Sequence, residues 1–463
     1  MFTVSDPILV TSSWPNANQR MNDSGTFLLS NGNGLIFASG RNYPSGSFAT
    51  INGVAGEISD SDINEGDVEN FIESPYGGGF SYDYSSGAGD GLYVSSIGTN
   101  ENDLFIYSFT GLTASRLDYR TVSPDFLIDI AGGGQATINY VGSVGKWVWL
   151  IEDQSFDPRI LTMSITSTSV VELQISTELF LPIDSYILYG ESPAASPVGQ
   201  DGDMVFFIPV EQYSPSYLTY VTCSRLRVTA SGAIDLYNFG FNIPDSGTIS
   251  PIGIAGNPNS EDFILLYLLD YSEIKAIPGK LDETGGLLFG TPETIIPSDG
   301  SVLGGIAWQK GLSSAICAIS YDITVETIRV LRLEVDNLTV TPVWDDSQTF
   351  EGSTFIRRPS VSFDESSNKV VIGVYGDGSA FMPVSEAPYV ILAEGEKPAT
   401  SVFWGNHSLQ KELAGSSEGR LSKLQTVSII PSRQGQPYIP PTSPTSPQTS
   451  VTSDINYVCE RVI

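Results

Sequence analysis

Five acidic side chains stand where apolar runs of the chain end, at Asp153, Glu211, Asp270, Asp322 and Asp377. Glycoside hydrolysis needs two carboxylates facing each other across a sugar, about 5 to 9.5 Å apart, one as acid and one as base or nucleophile. An acid at such a place is otherwise a solvated turn residue, and both readings stand at this point. Nucleophilic catalysis has thinner support. His407 is the single histidine, so a histidine-activated Ser or Cys would depend on it alone. The other role open to His407 is that of a surface or interface residue.

The familiar catalytic signatures are missing. There is no Gly-x-Ser-x-Gly elbow, Walker loop or His-Glu-x-x-His helix, no Ser-x-Asp-x-Gly-x-Thr-Trp box and no arginine triad. Metal binding has one candidate, the acidic run 59–70. Asp60, Asp62, Asn64 and Asp67 alternate there in the manner of a calcium loop, with Glu69 as a further oxygen donor. Gly66 falls one place too late for an EF-hand and no helices flank the run, so a solvated acidic loop is the alternative. Calcium is the only cofactor these residues suggest. Aromatics supply a different kind of surface. Tyr76, Phe80, Tyr82 and Tyr84 cluster in one Gly- and Ser-rich stretch, and Tyr213 with Tyr217 in another. Exposed Tyr stacks on sugars or partner side chains at low entropic cost, which makes a cell-surface glycan or receptor a candidate ligand. The alternation in 80–84 equally suits an ordinary strand.

The elements that must position these residues repeat. Apolar runs begin at Gly34, Gly91, Lys146, Asp203, Asp262, Ser313 and Lys369, giving successive spacings of 57, 55, 57, 59, 51 and 56 residues. Periods of roughly 40 to 50 residues or more, with several strands each, are the mark of a β-propeller. The units divide into four strands: 248–256, 262–270, 272–281 and 286–296 in the fifth, for example. In the seventh, the runs from Arg358, Lys369, Ser379 and Tyr389 take the four places. The fold expected is all-β, a propeller of four-stranded blades, with seven blades and with six or eight as alternatives. Turns between third and fourth strands are expected at Asn52-Gly53, Gly285-Gly286 and Gly232, and surface insertions at 59–70 and 191–203. A run from Ser401 resembles an eighth first strand, and the N-terminal segment is a candidate for closing the ring.

Composition narrows the partners. The 463 residues hold 53 acidic and 22 basic side chains, a net charge of −31, and such a surface repels phosphate backbones. Nucleic acid is therefore not an expected partner. Three scattered cysteines make neither a disulfide framework nor a zinc site. The N-terminus lacks the basic and apolar regions of a signal peptide, and no run of about 18 apolar residues occurs to span a membrane.

The chain therefore divides into an N-terminal segment 1–24, a propeller 25–406, a segment 407–430 with brief helical character, and a C-terminal region 431–463. That last region is a Pro-, Ser- and Thr-rich tether followed by an apolar end. Ile455, Tyr457, Val458, Val462 and Ile463 give this end the look of a docking arm that adds to a neighbouring sheet edge; folding back on its own chain is the alternative. The unit, chiefly 369–377 after 358–368 and 286–296 after a short strand, resembles that of virion-associated propellers of tailed phages. The resemblance implies a virion protein, tail-associated or surface-exposed, present in several copies among other virion proteins and assembled in the host cytoplasm. It carries over no catalytic residue; a carbohydrate-active enzyme and an intracellular interaction scaffold are the alternatives for such a propeller.

Overall fold

A computed structural model of the chain describes strands between Thr3 and Val458, with side chains and turns described mainly between residues 137 and 373. Every regular element among the described residues is a β-strand. In the first sheet, Gln19–Leu28, Asn33–Asn42, Ala49–Ile58 and Ile63–Ser74 pair antiparallel in chain order. The same order recurs in sheets whose innermost strands are Phe80–Ser85, Thr137–Val141, Ala194–Val198, Ile249–Gly256, Leu303–Gln309 and Ser360–Asp364. Each innermost strand lies beside that of the next sheet, and Ser360–Asp364 lies beside Gln19–Leu28, so the cycle closes. This is a β-propeller.

Each of the seven apolar runs is the second strand of its sheet. The reason is visible in the fifth sheet. Ile264, Leu266 and Leu268 of Asp262–Leu269 pack against Trp308, Leu331 and Leu333 of the sixth sheet. Phe263, Leu265, Tyr267 and Leu269 pack against Val205, Phe207 and Cys223 of the fourth. Side chains that alternate between two buried faces leave no position for a polar residue, and the strand becomes continuously apolar. Each such side chain contributes about 1.5–3 kcal/mol by burial, so the seams between sheets are the core. Close approach at the axis demands glycine: a Cβ on Gly256 would collide with the carbonyl oxygen of Pro197 in the preceding innermost strand.

The closing sheet departs from the expected pattern. Its third strand is Ala387–Glu394, paired with Lys369–Gly378, and the run from Ser379 expected in that role lies outside the described residues. The outermost strand comes from the other end of the chain. Thr3 and Val4 pair with Glu394 and Ala393, and Ile8 and Leu9 pair with Val390 and Tyr389. A strand from the N-terminus covers backbone groups that the sheet edge would otherwise leave open. Met1–Glu396 forms one compact unit and Lys397–Ile463 a second.

Three local expectations are corrected. Asn52 and Gly53 lie within the third strand Ala49–Ile58, beside a register shift, because the hairpin turns later, between Ile58 and Ile63. Ala194–Val198, inside the expected 191–203 insertion, is an innermost strand, its turn made by Gly199 and Gly202 at φ of 68° and 82°. Most of the expected acidic loop 59–70 is the fourth strand Ile63–Ser74. The turns at Gly232 and Gly285 form as expected, with φ of 88° and 93°. The segment 407–430 lies outside the described residues.

Candidate functional site: the two rims

Antiparallel order sends the second-to-third turns and the inter-sheet links to one rim, here the link rim. The first-to-second and third-to-fourth turns emerge on the other, the hairpin rim. On the link rim of the fifth sheet, Asp245 sits on the connection from Ile234–Asn242 to Ile249–Gly256. Its Oδ2 accepts from the Tyr267 hydroxyl at 3.0 Å and from Lys275 Nζ at 2.9 Å. Glu273 Oε2 lies 3.7 Å from the same ammonium. Burial first, and then Asp245, pushes the Tyr267 phenol above its usual range. The hydrogen bond to Asp245 outweighs burial and raises Lys275. Both groups therefore keep their protons well beyond neutral pH, and neither supplies a base or a free amine there. The cluster pins the link to the sheet.

The hairpin rim carries a second cluster. Asp203 opens the second strand of the fourth sheet and is only 3% exposed. It accepts from Arg225 Nε at 2.9 Å and from Arg227 Nη2 at 2.6 Å. Arg225 Nη1 also donates to the carbonyl of Asp282, at 2.8 Å, in the third-to-fourth turn of the next sheet. Both guanidinium groups stack on Tyr237, their carbons 4.7 and 5.6 Å from the ring centroid. The Asp282 carboxylate caps its own turn, accepting from the amides of Thr284 and Gly286 at 2.8 and 2.7 Å, and these bonds, that from Gly286 foremost, hold its pKa low. A planar fork between a carboxylate and turn carbonyls ties two sheets with directed, charge-assisted bonds.

The candidates from the sequence fall as follows. Asp270 follows the second strand of the fifth sheet at φ 50° and accepts from the Thr248 amide at 2.7 Å, so its carboxylate braces a turn. Glu211 lies within Asp203–Gln212 opposite Thr219, and Asp377 within Lys369–Gly378 opposite Phe355. Asp153 and Asp322 lie outside the described residues, as does His407. Asn64, Asp67 and Glu69 lie on Ile63–Ser74, with Asn64 and Asp67 exposed, while Asp60 and Asp62 lie outside the described residues. This corrects the calcium-loop expectation for those three: an extended strand rises about 3.3 Å per residue and does not curl around an ion. Among the described residues no group of three or more His, Cys, Asp or Glu side chains converges as a metal site would require.

Phe80, Tyr82 and Tyr84 lie on the innermost strand of the second sheet, with Tyr82 opposite Val94 and Tyr84 opposite Leu92. Tyr76, Tyr213 and Tyr217 lie outside the described residues. In the C-terminal unit, Tyr457 pairs with Trp404 and Val458 with Phe403, so the arm meets the run from Ser401 of its own chain. Ile455, Val462 and Ile463 lie outside the described residues. Cys223 and Cys317 are fully buried; burial raises both thiols, that of Cys317 to about 12. Asp245, Tyr267, Lys275 and the Asp203–Arg225–Arg227 cluster were not singled out from the sequence. The charges of Arg225 and Arg227 inside an otherwise strand-like run were the available signal.

No family model and no curated protein matches this chain. Solved structures that it resembles include the periplasmic gluconolactonase of Pseudomonas aeruginosa, at 11% identity and a TM-score of 0.46, covering 80% of this chain and 95% of that one. The β-propeller domain of the trilobed protease of Pyrococcus furiosus aligns at 9% identity and a TM-score of 0.43, covering 82% and 96%. The intramolecular trans-sialidase of Ruminococcus gnavus aligns at 7% and 0.44, covering 83% and 96%. No helix among the described residues is long and apolar enough to cross a membrane.

Proposed function

We propose that this protein is a non-enzymatic virion component, a propeller that presents its loops outward and is attached through its C-terminal unit. The observation that carries the reading is the division into a ring unit, Met1–Glu396, and a separate unit, Lys397–Ile463, rich in Pro, Ser and Thr. A compact ring with a tether suits a part that must be held by an assembly while its faces stay free. The chemistry of the described rims is consistent with it, since Tyr267 and Lys275 hold their protons and Asp270 is bound to backbone. Its partners are other virion proteins, in several copies, and a cell-surface glycan or receptor met by loop tyrosines such as Tyr76 and Tyr213. Deleting residues 397–463 leaves a ring with the strand content and melting temperature of the full chain but prevents its recovery in density-gradient-purified particles. Normal incorporation of the truncated ring overturns the reading.

A further inference from the structure

The two faces of Leu218–Val228, the third strand of the fourth sheet, are built differently. Val221 and Cys223 turn to the fifth sheet and pack among Phe263, Leu265 and Tyr267. Thr222 and Ser224 alternate with them and share the other face with Leu226 and Val228, which pack against Val148, Leu150 and Ile160 of the third sheet. Thr222 is 3% exposed and Ser224 fully buried, and neither hydroxyl has a hydrogen-bond partner among the described residues.

Both are short residues at places where other sheets carry long ones. Ser224 stands opposite Phe206, the fourth residue of its second strand. The same place holds Leu161 in the third sheet, Ile277 in the fifth and Leu331 in the sixth. Thr222 stands opposite Ile208, the sixth residue. The same place holds Lys275 in the fifth sheet and Arg329 in the sixth, and those side chains reach Asp245 and Asp345. The ladder to Ile234–Asn242 also shifts register on both sides of Ser224, so the sheet is irregular where the two short side chains stand.

We propose that Thr222 and Ser224 form a buried water site in the seam between the third and fourth sheets, one water bridging the two hydroxyl oxygens. A buried hydroxyl without a partner forfeits the hydrogen bond it makes to solvent in the unfolded chain, and ordered water is the usual partner of such groups. Positions two apart lie about 6.6 Å apart along a strand, and a water bonded to two hydroxyls spans about 5.5 Å, a difference that side chains leaning toward each other close. The seam selects the ligand. Phe206, Ile208 and Leu226 flank the pair and none is charged, so an ion would lose its hydration without gaining a counter-charge. Burial of both side chains excludes larger solutes. The site lies within the ring and is independent of the attachment role proposed above.

A crystal structure of the full chain, together with two near-isosteric variants, tests this. The expected density shows a water within about 3.2 Å of both oxygens. Thr222→Val and Ser224→Ala each weaken the folding equilibrium by about three- to tenfold in urea denaturation, because each strips the water of one anchor. The double variant is no less stable than the poorer single one, since it removes the water and both hydroxyls together. Additive losses, single variants as stable as the parent chain or more stable, or density with a water on one hydroxyl alone or on neither overturns the proposal.

Discussion

Replacing Asp203 by Ala gives the sharpest test of how the sheets are joined. The carboxylate is 3% exposed and neutralises two guanidinium groups, one of which, on Arg225, has a side-chain exposure of 5%. Arg227 is 31% exposed and retains Asp201 at 3.7 Å, so water and that carboxylate compensate much of its loss. Arg225 keeps only the carbonyls of the neighbouring turn and the face of Tyr237. A buried charge stripped of its partner costs about 3–5 kcal/mol, and Asp203→Ala is expected in that range. Asp201→Ala, at a carboxylate 77% exposed, costs less than about 1 kcal/mol. The double variant Asp203→Leu with Arg225→Met recovers most of the loss, because apolar side chains of similar volume replace a buried pair at little cost or with a gain. Urea denaturation followed by circular dichroism measures all three, and added salt leaves the Asp203 effect nearly unchanged because the pair is shielded from solvent. An Asp203→Ala loss no larger than that of Asp201→Ala, or a double variant no better than the single, refutes the argument.

Other expectations follow from the same seams and rims. Gly256→Ala drives a Cβ into the Pro197 carbonyl and lowers stability by about 1–3 kcal/mol or more, whereas Gly145→Ala, with nothing within 4 Å, shows only the cost of its φ of 64°; calorimetry of the two variants separates the effects. Tyr267 and Lys275 both have raised pKa values, so the stability they confer is present below their unfolded values near pH 10 and is lost as pH rises through the folded ones. An alkaline unfolding transition is expected, and Tyr267→Phe moves it to higher pH; an unmoved transition counts against the assignment. Cys223 and Cys317 resist maleimide in the native protein and react once it is unfolded, and rapid labelling of either under native conditions contradicts their burial.

The second strands were legible in the sequence because they carry a one-dimensional signal. A strand buried on both faces must be apolar at every position, and seven such runs at a near-constant spacing point to a ring. The innermost and outermost strands carry weaker signals. Ala194–Val198, with Ser and Pro among its five residues, has the composition of a loop and is a strand because the ring holds it between its neighbours. The fourth strand Ile63–Ser74 has the sequence of a loop because its outer edge tolerates Asn, Glu and Asp. Asp245 was invisible for another reason: its partners Tyr267 and Lys275 are 22 and 30 residues away and meet only when the link folds across the sheet end. Closure by Thr3–Val4 and Ile8–Leu9 involves the largest separations in the ring, and no local pattern marks which strand they pair with.

The disposition of the cations bears on what the surface can recognise. Arg225, Arg227, Lys275, Arg329 and Arg332 all lie on third strands, and each is paired with an acid of its own sheet or the adjoining link. Arg225 and Arg332 are almost fully covered, Lys275 has a side-chain exposure of 16%, and Arg329 grips Asp345 bidentately. These basic side chains serve to join strands and sheets. Their charge is cancelled close to where it stands, while Asp67, Asp201 and Asp270 are exposed at the rims and edges. With 53 acids against 22 bases, the field that an approaching partner meets is negative overall. Such a field favours a partner with a cationic or neutral, hydroxyl-rich face and disfavours an anionic one, and its reach falls off over about 8 Å at physiological ionic strength.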